Sequence, residues 1–471
     1  MERLILGNCI DKLKELSDNS VDAIITDPPY GLTSITKRFG KEGSAPAKHG
    51  KDGSFARLSG GFMGCKWDGQ GIEYNVDMWR EVLRVLKPGG HLISFGGSRT
   101  YHRMACAIED AGFEIRDQIM WIYGSGFPKS LNIGKAIDKM QGNKRKSAGK
   151  YQLPNGAKWN LKQDKDPSIK HVPPTFTASG TRTLDLSRGE SPYEGLGTAL
   201  KPAHEPIVLA RKPISESTMA LNVLKWGVGG LAIDNCRVSL CGETPPSGSA
   251  KIVYQSNGPA KEKKYGNNTT TSPLGRFPAN VIHDGSEEVV SLFPNTKSGG
   301  YPARRLSPKT KNTYGTFGND TNGIRGNSDS GSAARFFYCA KTSKSERDMG
   351  CDKLPLKQVA YGNQQTAQLK RGEQLTPNAG IGEGGIIAPT RNFHPTVKPI
   401  ALMKYLITLI SSKGQTVMDP FLGSGSTGVA AKQINRNFIG IELNPEYLEI
   451  AKCRIDSVVI EKNSLKGLLK T

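Results

Sequence analysis

One stretch near the C-terminal end most limits what this chain can fold into. Asp419-Pro420-Phe421-Leu422-Gly423-Ser424-Gly425-Ser426-Thr427-Gly428 follows the apolar run Thr416-Val417-Met418 and opens a helical pattern that runs to Ile434. A strand, a glycine loop and a helix in that order let the backbone approach a ligand closely. Gly423-x-Gly425-x-x-Gly428 matches the dinucleotide-binding fingerprint, and Glu442 lies nineteen residues after Gly423. A nicotinamide-linked dehydrogenase is therefore one reading. Against it, only 43 residues follow Gly428, too few for a dinucleotide fold to continue from its first βαβ unit. The loop is also preceded by Asp419-Pro420-Phe421 rather than by a plain strand. A sheet that contains this loop must be completed by strands from earlier in the chain.

A second stretch supplies the other constraint. Asp27-Pro28-Pro29-Tyr30 ends the apolar run Val21-Asp22-Ala23-Ile24-Ile25-Thr26. Ala23-Ile24-Ile25 is continuous rather than alternating, as in a parallel strand buried on both faces. Ligands of open α/β sheets bind at the carboxyl ends of such strands. Two prolines fix the backbone there and remove two N–H donors. What is left is a pair of acceptors, the Asp27 carboxylate and the Pro28 carbonyl, beside the flat face of Tyr30. That set suits gripping an exocyclic amino group on a planar ring and stacking the ring. A strand that ends in a proline turn with a capping aspartate would read the same way.

The tetrapeptide resembles the signature of DNA amino-methyltransferases, which methylate the 6-amino group of adenine or the 4-amino group of cytosine. Its order relative to the glycine loop resembles the β-group of that family, with recognition elements between the two. Phe62-Met63-Gly64-Cys65-Lys66-Trp67-Asp68, Lys201-Pro202-Ala203-His204-Glu205-Pro206-Ile207-Val208 and His394-Pro395-Thr396-Val397-Lys398-Pro399 resemble phage or prophage members. The resemblance implies a doubly wound, mostly parallel α/β sheet of the S-adenosylmethionine-dependent type, with a loop-rich target-recognition insertion. It implies catalysis by Asp27, Pro28, Pro29 and Tyr30 on a base flipped out of double-stranded DNA. Aspartate in first place is most typical of the adenine enzymes, and cytosine is the alternative base.

For the cofactor, S-adenosylmethionine, the resemblance implies the following sites. Gly423, Gly425 and Thr427 belong to the loop that admits its methionine end, and Asp419 and Ser424 bind its amino or carboxylate groups. Glu442 accepts from the ribose hydroxyls. Phe421 faces the sulfonium, a contact of about 1 kcal/mol. Thr396 and Lys398 meet the carboxylate, although Lys398 also reads as a surface charge. Asn8 stands where the family usually has an aspartate near the adenine, which keeps a hydrogen-bonding side chain and loses the charge.

Between these motifs strands alternate with helices, which argues for a doubly wound sheet. Asn75 caps a helix through Val76, Trp79, Val82, Leu83 and Leu86, ended by Pro88-Gly89-Gly90. Strands are expected at Leu92 to Phe95, Phe113 to Trp121, Ile207 to Ala210, Thr416 to Met418 and Phe438 to Ile441. Residues 1–140 read as the catalytic half, 141–200 as a basic insertion, and 201–234 as a further core strand and helix. Residues 235–390 read as target recognition and loops, 391–460 as the cofactor half, and 461–471 as a basic tail. The loop after Gly31 reads as a lid over the flipped base or as a surface insertion.

Lys+Arg 64 against Asp+Glu 43 gives a formal charge of +21 and a pI near 9.5, which suggests a polyanionic partner. Lys144, Arg145 and Lys146 are the candidate phosphate contacts. A homodimer and a cognate restriction enzyme are further partners that the resemblance suggests. No apolar run is long enough to span a bilayer and no signal peptide is apparent, so a cytoplasmic protein is expected. Eight cysteines are too few for a disulfide scaffold. Cys236, Cys241, Cys339 and Cys351 read as ordinary reduced cysteines, and no metal site is expected.

Overall fold

The computed structural model describes residues 2–30, 71–126, 130–152, 183–240, 247–248, 269–270, 274–298, 301–302, 324–325, 329–340, 344–357 and 390–459. The loop expected to act as a lid, the 62–68 stretch with Trp67, Cys241, residues 153–182 of the basic insertion and the basic tail lie outside them. The chain divides into two compact units, Met1–Gly124 with His204–Thr471, and Ser125–Ala203.

In the larger unit the sheet strands are β1 (Glu2–Leu6), β2 (Val21–Thr26), β3 (Leu86–Phe95), β4 (Glu114–Ile122), β5 (His204–Arg211), β6 (Val281–His283), β7 (Tyr338–Cys339), β8 (Thr416–Asp419) and β9 (Asn437–Glu442). Among the described residues they form one sheet in the order β1-β9-β8-β2-β3-β5-β4-β6-β7. Only β5 runs antiparallel to its neighbours. Among the described residues its helices of six residues or more are α1 (Cys9–Lys14), α2 (Val76–Val85), α3 (Tyr101–Asp110), α4 (Met219–Trp226), α5 (Ile400–Ile410), α6 (Ser426–Gln433) and α7 (Pro445–Asp456).

Every residue of β2 is buried, because the sheet carries a core on each face. Ile25 belongs to one core, with Leu406, Val417, Val429 and Phe438. Ile24 points the other way, into Trp79, Leu92, Ile108 and Met418. This is the doubly wound, mostly parallel α/β arrangement expected. Asn75 caps α2 by accepting from the N–H groups of Asp77 and Met78, and Trp79 and Val82 turn inward one turn apart. Asn444 caps α7, with Pro445 at the first helical position.

Two expectations about elements are corrected. Pro88-Gly89-Gly90 does not separate α2 from a later strand; it lies inside β3, which starts at Leu86. The strand tolerates it because the β2–β3 register shifts between Val21 and Ala23, and Gly89 takes a left-handed φ of +81°. The span 235–390 is not solely recognition and loops, since β6 and β7 come from it and extend the main sheet. At three and two residues they are too short to show a period in the sequence.

The smaller unit holds the helix Ile133–Gln141 and an antiparallel pair, Lys146–Gln152 with Thr183–Arg188. It begins before the expected insertion boundary, because this helix belongs to it. Arg145 is 11% exposed and bonds both Asp138 and Glu194, the latter at 2.6 Å. Its guanidinium also donates to the Ser187 carbonyl at 2.8 Å. Arg145 is therefore corrected from a phosphate contact to an internal tie of this unit. Lys144 is exposed, and Lys146 pairs loosely with Glu190, both side chains 80% exposed.

Candidate active site

The sheet order places the two sequence motifs side by side. β8 lies next to β2, and their carboxyl ends are joined by a 2.7 Å bond from Thr26 Oγ1 to Asp419 Oδ1. At the other end Asp22 Oδ2 accepts from the Thr416 N–H at 2.7 Å. The loop and the tetrapeptide thus share one edge of the sheet, 393 residues apart in sequence.

Asp419 also accepts from the Phe421 N–H at 3.0 Å and from Thr427 Oγ1 at 2.6 Å. It is 2% exposed, and burial raises its carboxyl to about 6 against the pull of those donors. Ser424 is equally covered and faces the buried Arg454, whose Nη1 donates to the Ser424 carbonyl at 2.6 Å and to its Oγ at 3.1 Å. Asp419, Ser424 and Thr427 are buried, and their hydrogen bonds brace the loop. Gly425 serves the same end, since its φ is +80° and a Cβ there would lie 2.9 Å from the Cα of Ala451.

Gly423, Glu442, Asn8 and Phe421 make up the rest of this edge. Gly423, with φ +53°, donates its N–H to Glu442 Oε2 at 2.8 Å, and Asn444 N–H donates to Oε1 at 2.8 Å. Burial raises the Glu442 carboxyl to about 7, although those backbone donors favour its charge. Asn8 follows β1, which pairs with β9 in the register Leu6 to Glu442. It is exposed and caps α1 through the Ile10 N–H at 2.9 Å. Phe421 is half-buried beside them. A carboxylate, a glycine backbone, an aromatic edge and an amide along three neighbouring strand ends fit a ligand with a diol and a flat ring. S-adenosylmethionine has both.

His394 joins this edge to the tetrapeptide. Burial holds its imidazole down at about 4, so it is neutral, and Nδ1–H donates to the Thr396 carbonyl at 2.6 Å. A Cβ on Gly423 would lie 2.9 Å from His394 Nε2, which sets how closely the two stretches approach. Thr396 is half-buried in this turn. Arg347 clamps the turn from outside by donating to the carbonyls of Asn392 at 3.2 Å and His394 at 2.6 Å.

Lys398 is not at the cofactor edge. Its Nζ lies 2.8 Å from Asp27 Oδ2, 3.0 Å from Glu205 Oε2 and 3.0 Å from the Tyr30 hydroxyl. An ammonium has three protons, and these acceptors take all three. That saturation corrects the expectation that Lys398 meets the cofactor carboxylate. Burial alone would lower its pKa, but Asp27 and Glu205 reverse this and hold it above the ordinary value. Tyr30 passes the chain on by donating to Glu205 Oε2 at 3.0 Å. Its backbone carbonyl is held by Thr100 Oγ1 at 2.7 Å. Pro28 and Pro29 are buried. Asp27 Oδ1 is closed to solvent and has no hydrogen-bond partner among the described residues.

Glu205 and Arg454, which hold this arrangement together, escape the sequence reading. Glu205 stands in the quoted run before Ile207, where a carboxylate just ahead of a buried strand was the available signal. Arg454 gives no signal, since it sits on an ordinary helix. Among the described residues no group of His, Cys, Asp and Glu could hold a metal, and no helix is long and apolar enough to cross a membrane.

Comparisons with known proteins bear on this geometry. The N6/N4 methyltransferase family model, described as DNA methylase, matches residues 21–453. The type II methyltransferase M.HpaI of Haemophilus parainfluenzae is 49% identical over 67 residues, 14% of this chain and 21% of that protein. The type II methyltransferase M.HindIII of Haemophilus influenzae is 46% identical over 79 residues, 17% of this chain and 25% of that protein. The chain thus spans about a quarter of the length of the curated relatives it matches. The solved complex of M1.HpyAVI with S-adenosylmethionine is 14% identical and covers 97% of this chain and 100% of its own, with a TM-score of 0.34. These relatives do not support the resemblance to phage members in particular. One family model accounts for both motifs and nearly everything between them, so the nicotinamide reading gives way and the chain belongs to the N6/N4 methyltransferase family of DNA methylases.

Proposed function

We propose that this protein is a site-specific DNA methyltransferase that moves a methyl group from S-adenosylmethionine to the 6-amino group of adenine in double-stranded DNA. The observation that carries this reading is the state of Asp27. One carboxylate oxygen is fixed by Lys398, and the other is a buried acceptor with no partner among the described residues, at the strand end beside the glycine loop. Leaving such an acceptor unsatisfied costs about 1–3 kcal/mol. An amino N–H of a base placed against Oδ1 removes that cost.

S-adenosylmethionine supplies an electrophilic methyl group when bound. Glu442 takes its ribose hydroxyls, Asn8 and Phe421 flank it, and the backbone at Gly423 admits its amino-acid end. An exocyclic amine is a poor nucleophile because its lone pair is delocalised into the ring. Hydrogen bonds from its N–H groups to Asp27 Oδ1 and the Pro28 carbonyl localise that pair toward the incoming carbon. As the N–C bond forms, the methyl carbon's bond to the sulfonium sulfur breaks and leaves its electron pair on sulfur; the nitrogen then sheds a proton, for which Asp27 Oδ1 is the acceptor in reach. Extruding the base costs a few kcal/mol. Stacking on Tyr30 returns about 1–3 kcal/mol.

Adenine is chosen because an aspartate leads the tetrapeptide; the acceptors themselves would also hold cytosine. Incubation of the protein with S-adenosylmethionine and unmethylated genomic DNA, followed by nucleoside mass spectrometry, should yield 6-methyladenine. A gain in 4-methylcytosine alone would keep the amine chemistry and refute the base. Asp27→Ala should abolish transfer while leaving cofactor affinity within about tenfold. Near-normal turnover in that variant would refute the role of Asp27. A cognate restriction enzyme and self-association are further tests, by co-purification and by sedimentation.

A further inference from the structure

We propose that Glu205 is a positioning residue for the methyl transfer, holding Lys398 and the Tyr30 hydroxyl so that Asp27 Oδ1 stays available to the base. This role rests on the proposed reading of the site.

β5 is the antiparallel strand of the sheet, so its first residues stand at the edge where its neighbours end. His204 and Glu205 therefore enter at the carboxyl ends of β3 and β4, beside the end of β2. Glu205 places both of its contacts on one oxygen, with Lys398 Nζ and the Tyr30 hydroxyl each 3.0 Å from Oε2. Without it, Lys398 would keep Asp27 as its one carboxylate partner. A free N–H of the ammonium could then swing to Oδ1, the oxygen the base needs. The phenol would lose its bond to Glu205 Oε2, and only Lys398 and Asp27 would hold the ring at its far end.

Charge points the same way. Lys398 is shared between two carboxylates, so it does not neutralise Asp27 alone. Facing this pair are Tyr30, Tyr123 beyond β4, and, farther out, His394 and Asp419. Burial keeps His394 neutral and both phenols protonated, with Tyr123 pushed up to about 12. His394 and the two phenols thus add no charge to the cluster near neutral pH. Removing the Glu205 charge gives Lys398 wholly to Asp27.

The test compares wild type, Glu205→Gln and Glu205→Ala in methyl transfer from tritiated S-adenosylmethionine to unmethylated DNA, across pH, with melting temperature and cofactor binding measured alongside. Glu205→Ala should lower kcat at least about tenfold, with the KM for S-adenosylmethionine within about threefold. Gln has one carbonyl oxygen that can accept both bonds, so Glu205→Gln should recover most of the plateau kcat. The proposal is overturned if Glu205→Ala matches wild type within about twofold at every pH. It is equally overturned if both variants lose kcat, cofactor affinity and melting temperature together, with no recovery of kcat in Glu205→Gln. No transfer by the wild type would overturn the reading of the site, and the role of Glu205 with it.

Discussion

Glu442 shows how much one carboxylate can do at a strand end. Burial raises it from 4.5 to about 7, while the Gly423 and Asn444 N–H groups keep it aimed at the loop. Its folded pKa lies above the unfolded one, so the folded state holds the proton longer. The group therefore lowers stability as pH rises from about 4.5 to about 7 and contributes a constant term above that. Ribose hydroxyls donate better to the ionised form, which gives the opposite trend for the ligand. Affinity for S-adenosylmethionine should rise up to about tenfold between pH 6 and 8, and Glu442→Gln should flatten that rise. At pH 8, Glu442→Ala should cost about 1–3 kcal/mol of binding. A calorimetric affinity that does not vary with pH in the wild type would remove Glu442 from the ribose. Asp27 and Glu442 were legible in the sequence because each closes an apolar run, and strand ends are where such sheets bind ligands. The place of Lys398 was not, because its contact with Tyr30 spans 368 residues and nothing local records it.

The glycine loop is an element whose letters conceal two different jobs. Gly425 has a left-handed φ of +80°, and a Cβ there would meet backbone of α7 at 2.9 Å. Gly428 is helical, and its Cβ would meet the end of the Ile455 side chain at 2.4 Å and Phe438 at 2.8 Å. The first clash is with backbone that cannot turn aside, and the second is partly with a side chain that can. Gly425→Ala should cost about 1–3 kcal/mol of stability and distort the loop enough to abolish cofactor binding. Gly428→Ala should cost less and leave binding measurable. Equal effects in denaturant melts and cofactor titrations would mean that the two glycines are not distinguished as the geometry says. The fingerprint was legible as a loop that needs glycine, but not which glycine answers to φ and which to packing. Arg454 explains part of the difference, because it holds the Ser424 carbonyl from a helix 30 residues later. The longer elements were legible from their apolar period. The direction of β5 was not, since a buried run such as Ile207 to Ala210 reads alike in either sense.

At the scale of the whole molecule, a charge of +21 belongs to no single site. The three basic residues singled out in the smaller unit divide on inspection of their partners. Arg145 is locked between Asp138 and Glu194, so its charge is already matched inside the unit. Lys144 is exposed, and the Lys146–Glu190 pair is open to water on both sides. Such surface pairs are worth about 0–1 kcal/mol, so Lys146 can exchange Glu190 for a phosphate. Each phosphate contact contributes about 0.9 to the slope of log affinity against log salt. Lys144→Gln with Lys146→Gln should therefore reduce that slope by roughly 1–2 and leave the fold intact. Arg145→Gln should behave differently, leaving Asp138 and Glu194 without their shared cation and lowering the stability of the smaller unit. Fluorescence anisotropy on duplex DNA over a salt series, with limited proteolysis of each variant, separates the two effects. An unchanged slope in the lysine pair would mean that the phosphate contacts lie elsewhere on this basic surface.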